Sequence, residues 1–181
     1  MSARVILTYD DYAALPDDGS RYELYEGELL LNPAPSPRHQ GVIGNLHTLM
    51  VVHVRRHGLG QVFLSPIDVI LSHITVLQPD LVYVDTSRLA IITERAIEGA
   101  PTLVVEVLSP STDVRDRGVK QGLYARYGVP YYWIVDSAAR TVEARRLGGE
   151  SYELIARLDE TRPTALPPLT DLSLDPAAVW R

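Results

Sequence analysis

The chain has 181 residues, 46% apolar and 22% charged, with a formal net charge of −6 and no cysteine. That length suits one domain, spanning 1–181, that buries about 70% of its unfolded surface; without thiols it has no disulfide, thiolate metal site or cysteine nucleophile. No run of eighteen apolar residues is there to span a membrane, and the acidic balance argues against non-specific nucleic-acid binding through a basic surface.

The start turns acidic too soon for an export signal, which makes the cytoplasm the expected compartment. Thr8 is placed to cap a short helix over residues 9–15, stopped by Pro16 and the turn-rich Asp17-Asp18-Gly19-Ser20. Residues 22–25 and 28–31 flank Glu26-Gly27 and predict a tight hairpin. Pro33, Pro35 and Pro37 lead into a helix of roughly twenty residues reaching His57. Its apolar positions Val42, Ile43, Leu46, Leu49, Met50 and Val54 keep a 3.6-residue period, and Gly58 and Gly60 end it.

The middle is rich in strand signals, at 61–64, 67–71 and 80–84, followed by a predicted short helical stretch near 91–97. Residues 103–108 are apolar except for Glu106 and predict a central strand buried on both faces. Ser109-Pro110-Ser111-Thr112 is a stop followed by helix-capping chemistry, so a helix is expected from about 113 to 127. A buried strand at 131–135 and a second hairpin, 141–147 with 151–158 around Gly148-Gly149, follow. The proline- and leucine-rich tail with Trp180 is expected to dock on the body. The pattern as a whole predicts an α/β (α+β) fold: a mixed central sheet flanked by helices, with an N-terminal and a C-terminal hairpin.

A carboxylate inside Leu-Val-Val-Glu-Val-Leu is costly unless paired or bound to metal. Asp80 stands at the mouth of the neighbouring Leu-Val-Tyr-Val, just after Pro79. Two carboxylates at matching heights form a hard oxygen site suited to Mg²⁺ or Mn²⁺. Of the seventeen basic residues only Lys120 is lysine. If the chain turns at Ser109-Pro110, Glu106 lies about 13 Å back along its strand at 3.3 Å per residue. Lys120 lies about 12 Å along the returning helix at 1.5 Å per residue. The two are therefore level, and Asp113, Arg117, Lys120, Tyr124 and Tyr127 share the helical stripe aimed at that place.

Pro79-Asp80 followed by Glu106-Val107-Leu108 resembles the PD-(D/E)XK motif of metal-dependent nucleases. Three longer segments resemble the Uma-two family of restriction endonucleases. They are Arg21-Tyr22-Glu23-Leu24-Tyr25-Glu26-Gly27-Glu28, the block from Leu103 to Thr112, and Arg115-Asp116-Arg117-Gly118-Val119-Lys120 leading through Tyr124 to Gly128-Val129-Pro130-Tyr131-Tyr132-Trp133-Ile134-Val135-Asp136. The resemblance implies a restriction-endonuclease-like fold and metal-dependent hydrolysis of nucleic acid, with DNA the expected substrate. It departs at one position: Leu108 stands where the motif has lysine, and Lys120 is the expected replacement on the next helix. Asp80 and Glu106 are then the expected metal ligands, the Val107 carbonyl completing the set. Lys120 is the expected catalytic cation and Glu23 an additional acid. His39, Arg117 and Tyr124 are candidates to touch phosphate or hold the ligands.

Blander readings accompany these roles. Glu106 and Lys120 could be a buried structural ion pair, Asp80 a strand-entry cap, Glu23 a surface partner of Arg21, and His39 a helix-start residue. The remaining histidines share no metal-binding spacing. The alternative to an enzyme is a catalytically inactive nuclease-fold module for binding or assembly. A homodimer is expected from Trp180, the apolar tail and the hairpin edges.

Overall fold

The structure is a computed structural model that describes residues 5–109 and 116–181. Thr8 caps α1 (Tyr9–Ala13) reciprocally: its hydroxyl accepts the Asp11 N–H, and Asp11 accepts the Thr8 N–H. β1 (Arg21–Tyr25) and β2 (Glu28–Asn32) form the N-terminal hairpin. Glu26 (φ 51°) and Gly27 (φ 82°) both occupy left-handed backbone, as a two-residue hairpin turn requires. α2 (Pro37–His57) begins at Ser36, whose hydroxyl accepts the His39 N–H, and ends at left-handed Gly58. Val42, Ile43, Leu46, Met50 and Val54 make its buried stripe. At roughly 1.5–3 kcal/mol for each large apolar side chain, that stripe fixes the helix firmly, and His39 at its start with it.

β3 (Gly60–Leu64), β4 (Val69–Ser72), β5 (Thr75–Leu77), β6 (Leu81–Asp85), β7 (Ile97–Glu98) and β8 (Leu103–Val107) make up the middle. The helical stretch expected near 91–97 is absent. A 3-10 turn instead spans Thr86–Ile91, capped by Asp85, and Ile92 pairs with Ile97 as an isolated bridge. Ile97 buries against Val69, Val82 and Val84, so its spacing from Ile91 serves sheet packing and not a helix face. Past the undescribed residues, a π-helical turn over Asp116–Lys120 runs into α3 (Gln121–Arg126). β9 (Tyr131–Asp136) pairs parallel with β8, and β10 (Thr141–Gly148) with β11 (Ser151–Leu158) is the expected second hairpin.

Two mixed sheets result, where the sequence predicted one. The central sheet has six strands in the order β11-β10-β9-β8-β6-β3, and the second has five, β2-β1-β5-β4-β7. Strand alternation assigns the faces. Leu103, Val105 and Val107 of β8, with Trp133 and Val135 of β9, pack against the α2 stripe. Val104, Leu108, Tyr132 and Ile134 share the opposite cluster with Leu123 and Tyr124 of α3 and with Tyr25 and Leu77 of the second sheet. Glu106 therefore belongs to the face that meets α3 and the small sheet.

The tail forms β12 (Thr164–Leu166), β13 (Leu169–Leu174) and α4 (Pro176–Val179). Leu166, Leu169, Leu174 and Val179 are buried in the α2-side core, with Trp180 packed against it. This apolar material is used within the chain, which removes it as support for a dimer. Leu154, exposed on the edge strand β11, and Leu31, exposed on the edge strand β2, are what the hairpin edges still offer.

Candidate active site

The chain's only lysine is buried. Lys120, 5% exposed, holds Nζ 3.0 Å from Glu106 Oε1 and 3.0 Å from Glu23 Oε1. Each carboxylate is fixed from a further side. The Tyr124 hydroxyl donates to Glu106 Oε1 at 2.7 Å, the Tyr25 hydroxyl to Glu23 Oε2 at 2.9 Å, and the Gln78 N–H to Glu23 Oε1 at 2.6 Å. Three elements meet here. Glu106 projects from central β8, Glu23 from β1 of the small sheet, and Lys120 ends the wide π turn that enters α3.

Asp80 sits beside this cluster, just before β6. Its Oδ2 accepts the Val107 N–H at 2.8 Å, and His39 Nε2 lies 3.3 Å away. The same Nε2 donates to the Val107 carbonyl at 2.8 Å, so the start of α2 is clasped to the end of β8. Asp80 thus ties its own strand to the strand of Glu106. Asp80, Glu106, Val107, His39 and Lys120 all line one cleft of about 180 Å³.

Seven residues singled out in the sequence are brought together: Glu23, His39, Asp80, Glu106, Val107, Lys120 and Tyr124. The Arg117 side chain and all of Asp113 lie outside the described residues. Tyr127, on the same stripe, is drawn off to Glu26 at 2.8 Å. Glu23 is not a surface partner of Arg21: it is fully buried, and Arg21 bonds Ser65 Oγ and Gln78 Oε1 instead. Asp136 caps the turn after β9 by accepting the N–H groups of Ala138 and Ala139. Sequence reasoning missed three contributors. Arg21 and Tyr25 alternate with Glu23 along β1, and period-two spacing could have found them. Gln78 lies in a loop and carried no such signal.

Burial pushes the hydroxyls of Tyr25 and Tyr124 far above the usual phenol range. The neighbouring Glu106 and Glu23 carboxylates push Tyr124 further, while Lys120 partly counteracts the rise at Tyr25. Both phenols therefore stay protonated donors. Burial likewise raises Tyr12, Tyr83 and Tyr152. A phenol raised in the folded state contributes stability that is complete below its unfolded value of about 10 and is lost as pH climbs toward the folded one. In an alkaline absorbance titration these five of the ten tyrosines should ionise only as the chain unfolds. Ten phenols titrating together near pH 10 with unchanged circular dichroism would contradict the burial.

Among the described residues no three His, Asp or Glu side chains form a ready metal cage. The donor set nonetheless fits a hard divalent cation, which takes one or two carboxylates and keeps several waters. Asp80 Oδ1 has no hydrogen bond to the described residues, since its two contacts both fall on Oδ2. Among the described residues, Glu23, Asp80 and Glu106 against Lys120 and Arg21 leave a formal charge of −1 with His39 neutral, an excess that a cation would offset.

A family model for Uma2, "Putative restriction endonuclease", matches residues 9–177. Among solved structures, the chain is similar to "a putative nuclease belonging to DUF820" from Anabaena variabilis ATCC 29413. The two share 19% identity with a TM-score of 0.78, over 96% of this chain and 97% of that one. At that identity the likeness speaks for the fold. No curated protein matches the chain.

Proposed function

The chain belongs to the Uma2 family, and on that premise we propose that it is a Mg²⁺- or Mn²⁺-dependent endonuclease hydrolysing phosphodiesters, expected in DNA, at the Asp80–Glu106–Lys120 cleft. The observation that carries this reading is Lys120 Nζ, 3.0 Å from both Glu23 and Glu106, beside Asp80 in one cleft. Asp80, Glu106 and the Val107 carbonyl would hold the metal, which when bound lowers the pKa of a water and offsets phosphate charge. The chain's own groups do the rest. Glu23 and Tyr124 hold Lys120 and Glu106 in place, so that the ammonium is preorganised at no cost during the reaction. Lys120 orients the attacking water and offsets charge growing on the phosphoryl oxygens. His39 orients the Val107 carbonyl and steadies Asp80. Arg21, on the cleft wall, adds a guanidinium able to meet a phosphate.

Calorimetry is expected to show Mg²⁺ or Mn²⁺ binding that Asp80→Ala or Glu106→Ala abolishes. Equal binding by the unsubstituted protein and both variants would overturn the site. The net charge of −6 favours a second reading, a nuclease-fold module without activity. A protein that neither binds metal nor cuts nucleic acid would establish that one instead.

A further inference from the structure

A second cleft of about 270 Å³ lies between the first turn of α2 and the turn that follows β9. Its walls include Arg38, Gly41, Ser137, Arg140, Trp180 and Arg181. Arg38 donates to the Ser137 carbonyl and so fastens one wall to the other. Arg140 stands in left-handed backbone (φ 50°), a conformation uncommon for residues other than glycine, and its guanidinium meets Glu160 at 2.6 Å. Among the described residues no carboxylate pairs with Arg38 or Arg181. Three guanidinium groups against Glu160 and the terminal carboxylate of Arg181 still leave this cleft a local positive excess in a chain whose net charge is −6. The first turn of α2 carries no acidic residue, so the helix end adds to that potential.

The position matters as much as the charge. Ser36 and His39 line the candidate active cleft, whereas Pro37, Arg38 and Gly41 line this one. A single helical turn is the wall between them. An isolated anion would occupy either cleft alone, but a polymer bearing successive phosphates and lying across that turn would reach both. Guanidinium groups suit this task, because their forked donors match phosphate oxygens in pairs.

We propose that this second cleft binds a backbone phosphate of the same nucleic-acid strand whose scissile phosphodiester enters the Asp80–Glu106–Lys120 cleft. The proposal rests on the nuclease reading and adds to it where the strand runs. It also accounts for how an acidic protein holds an acidic polymer, since local potential and not net charge steers the encounter.

The test compares the unsubstituted protein with Arg38→Ala, Arg140→Ala and the double variant. An exposed arginine outside the cleft, Arg157→Ala, serves as the charge control. The probes are a single-stranded oligonucleotide, its duplex and inorganic phosphate. Oligonucleotide affinity should fall at least tenfold in the double variant. The dependence of log affinity on log salt should become shallower by about 0.7–0.9 for each phosphate that is no longer neutralised. KM should rise with kcat unchanged, and the melting-temperature shift caused by Mn²⁺ should stay as it was. Arg157→Ala should change none of these, and inorganic phosphate should compete far more weakly than oligonucleotide. Unchanged KM and salt slope in a double variant whose parent cuts nucleic acid would overturn this subsite alone, as would inorganic phosphate competing as well as oligonucleotide. A parent protein that neither binds nor cuts any nucleic acid would overturn the functional reading, and this proposal with it.

Discussion

Lys120→Ala is expected to slow metal-dependent cleavage by about 10²-fold or more, on the order of 3 kcal/mol, while metal binding persists. The ammonium is 5% exposed and held between two fixed carboxylates, so no surface cation can take its place. Lys120→Arg should be almost as damaged, because guanidinium is bulkier and keeps its proton. Leu108→Lys in the Lys120→Ala background should restore part of the rate. Leu108 packs in the same cluster as Tyr124, on the face of β8 that carries Glu106, so a lysine there returns the charge from the strand side. The assay needs DNA and RNA in single- and double-stranded form, run well below the melting temperature of each variant. Lys120→Ala cutting as fast as the parent protein would end the case for a relocated lysine.

The second large effect concerns stability. Lys120→Met strips two buried carboxylates of their shared counter-charge and should cost about 3–5 kcal/mol. For a chain of this size that is roughly 6–20 °C in Tm. Glu106→Gln should behave oppositely and keep or raise the Tm of the metal-free protein. The amide still accepts from Tyr124 and Lys120, and it removes one of the carboxylates crowded around a single cation. Thermal melts in chelator decide the matter. A fall in Glu106→Gln as large as in Lys120→Met would mean a balanced structural ion pair, with no excess charge awaiting a cation.

How much of this was legible in the sequence depended on period. Glu106 announced itself as a charge in an apolar run; Lys120 does meet it, but the α-helical rise used to place it runs over residues outside the described ones and then over a π turn, Asp116–Lys120. The long helix and both hairpins were equally open to reading, since each has a clear period and a glycine at its turn or end. Glu23 was half legible. Alternation puts it on one face of β1, but only the docking of a second sheet makes that face an interior. That second sheet escaped notice because β5 and β7 have three and two residues, too few to display a period. The clasp between His39, Asp80 and the Val107 backbone was hidden for a different reason. Half of it is main chain, whose hydrogen bonds no residue type advertises.

The carboxylates that grip Lys120 come from separate sheets, Glu23 from the small one and Glu106 from the central one. The two sheets also share their interiors, Tyr25 and Leu77 packing with Val104 and Ile134, and Val69 and Ile97 with Val82 and Val84. The lysine clasp is in that sense a rivet through a common wall: a change at Glu23 reaches Glu106 through the one ammonium they share.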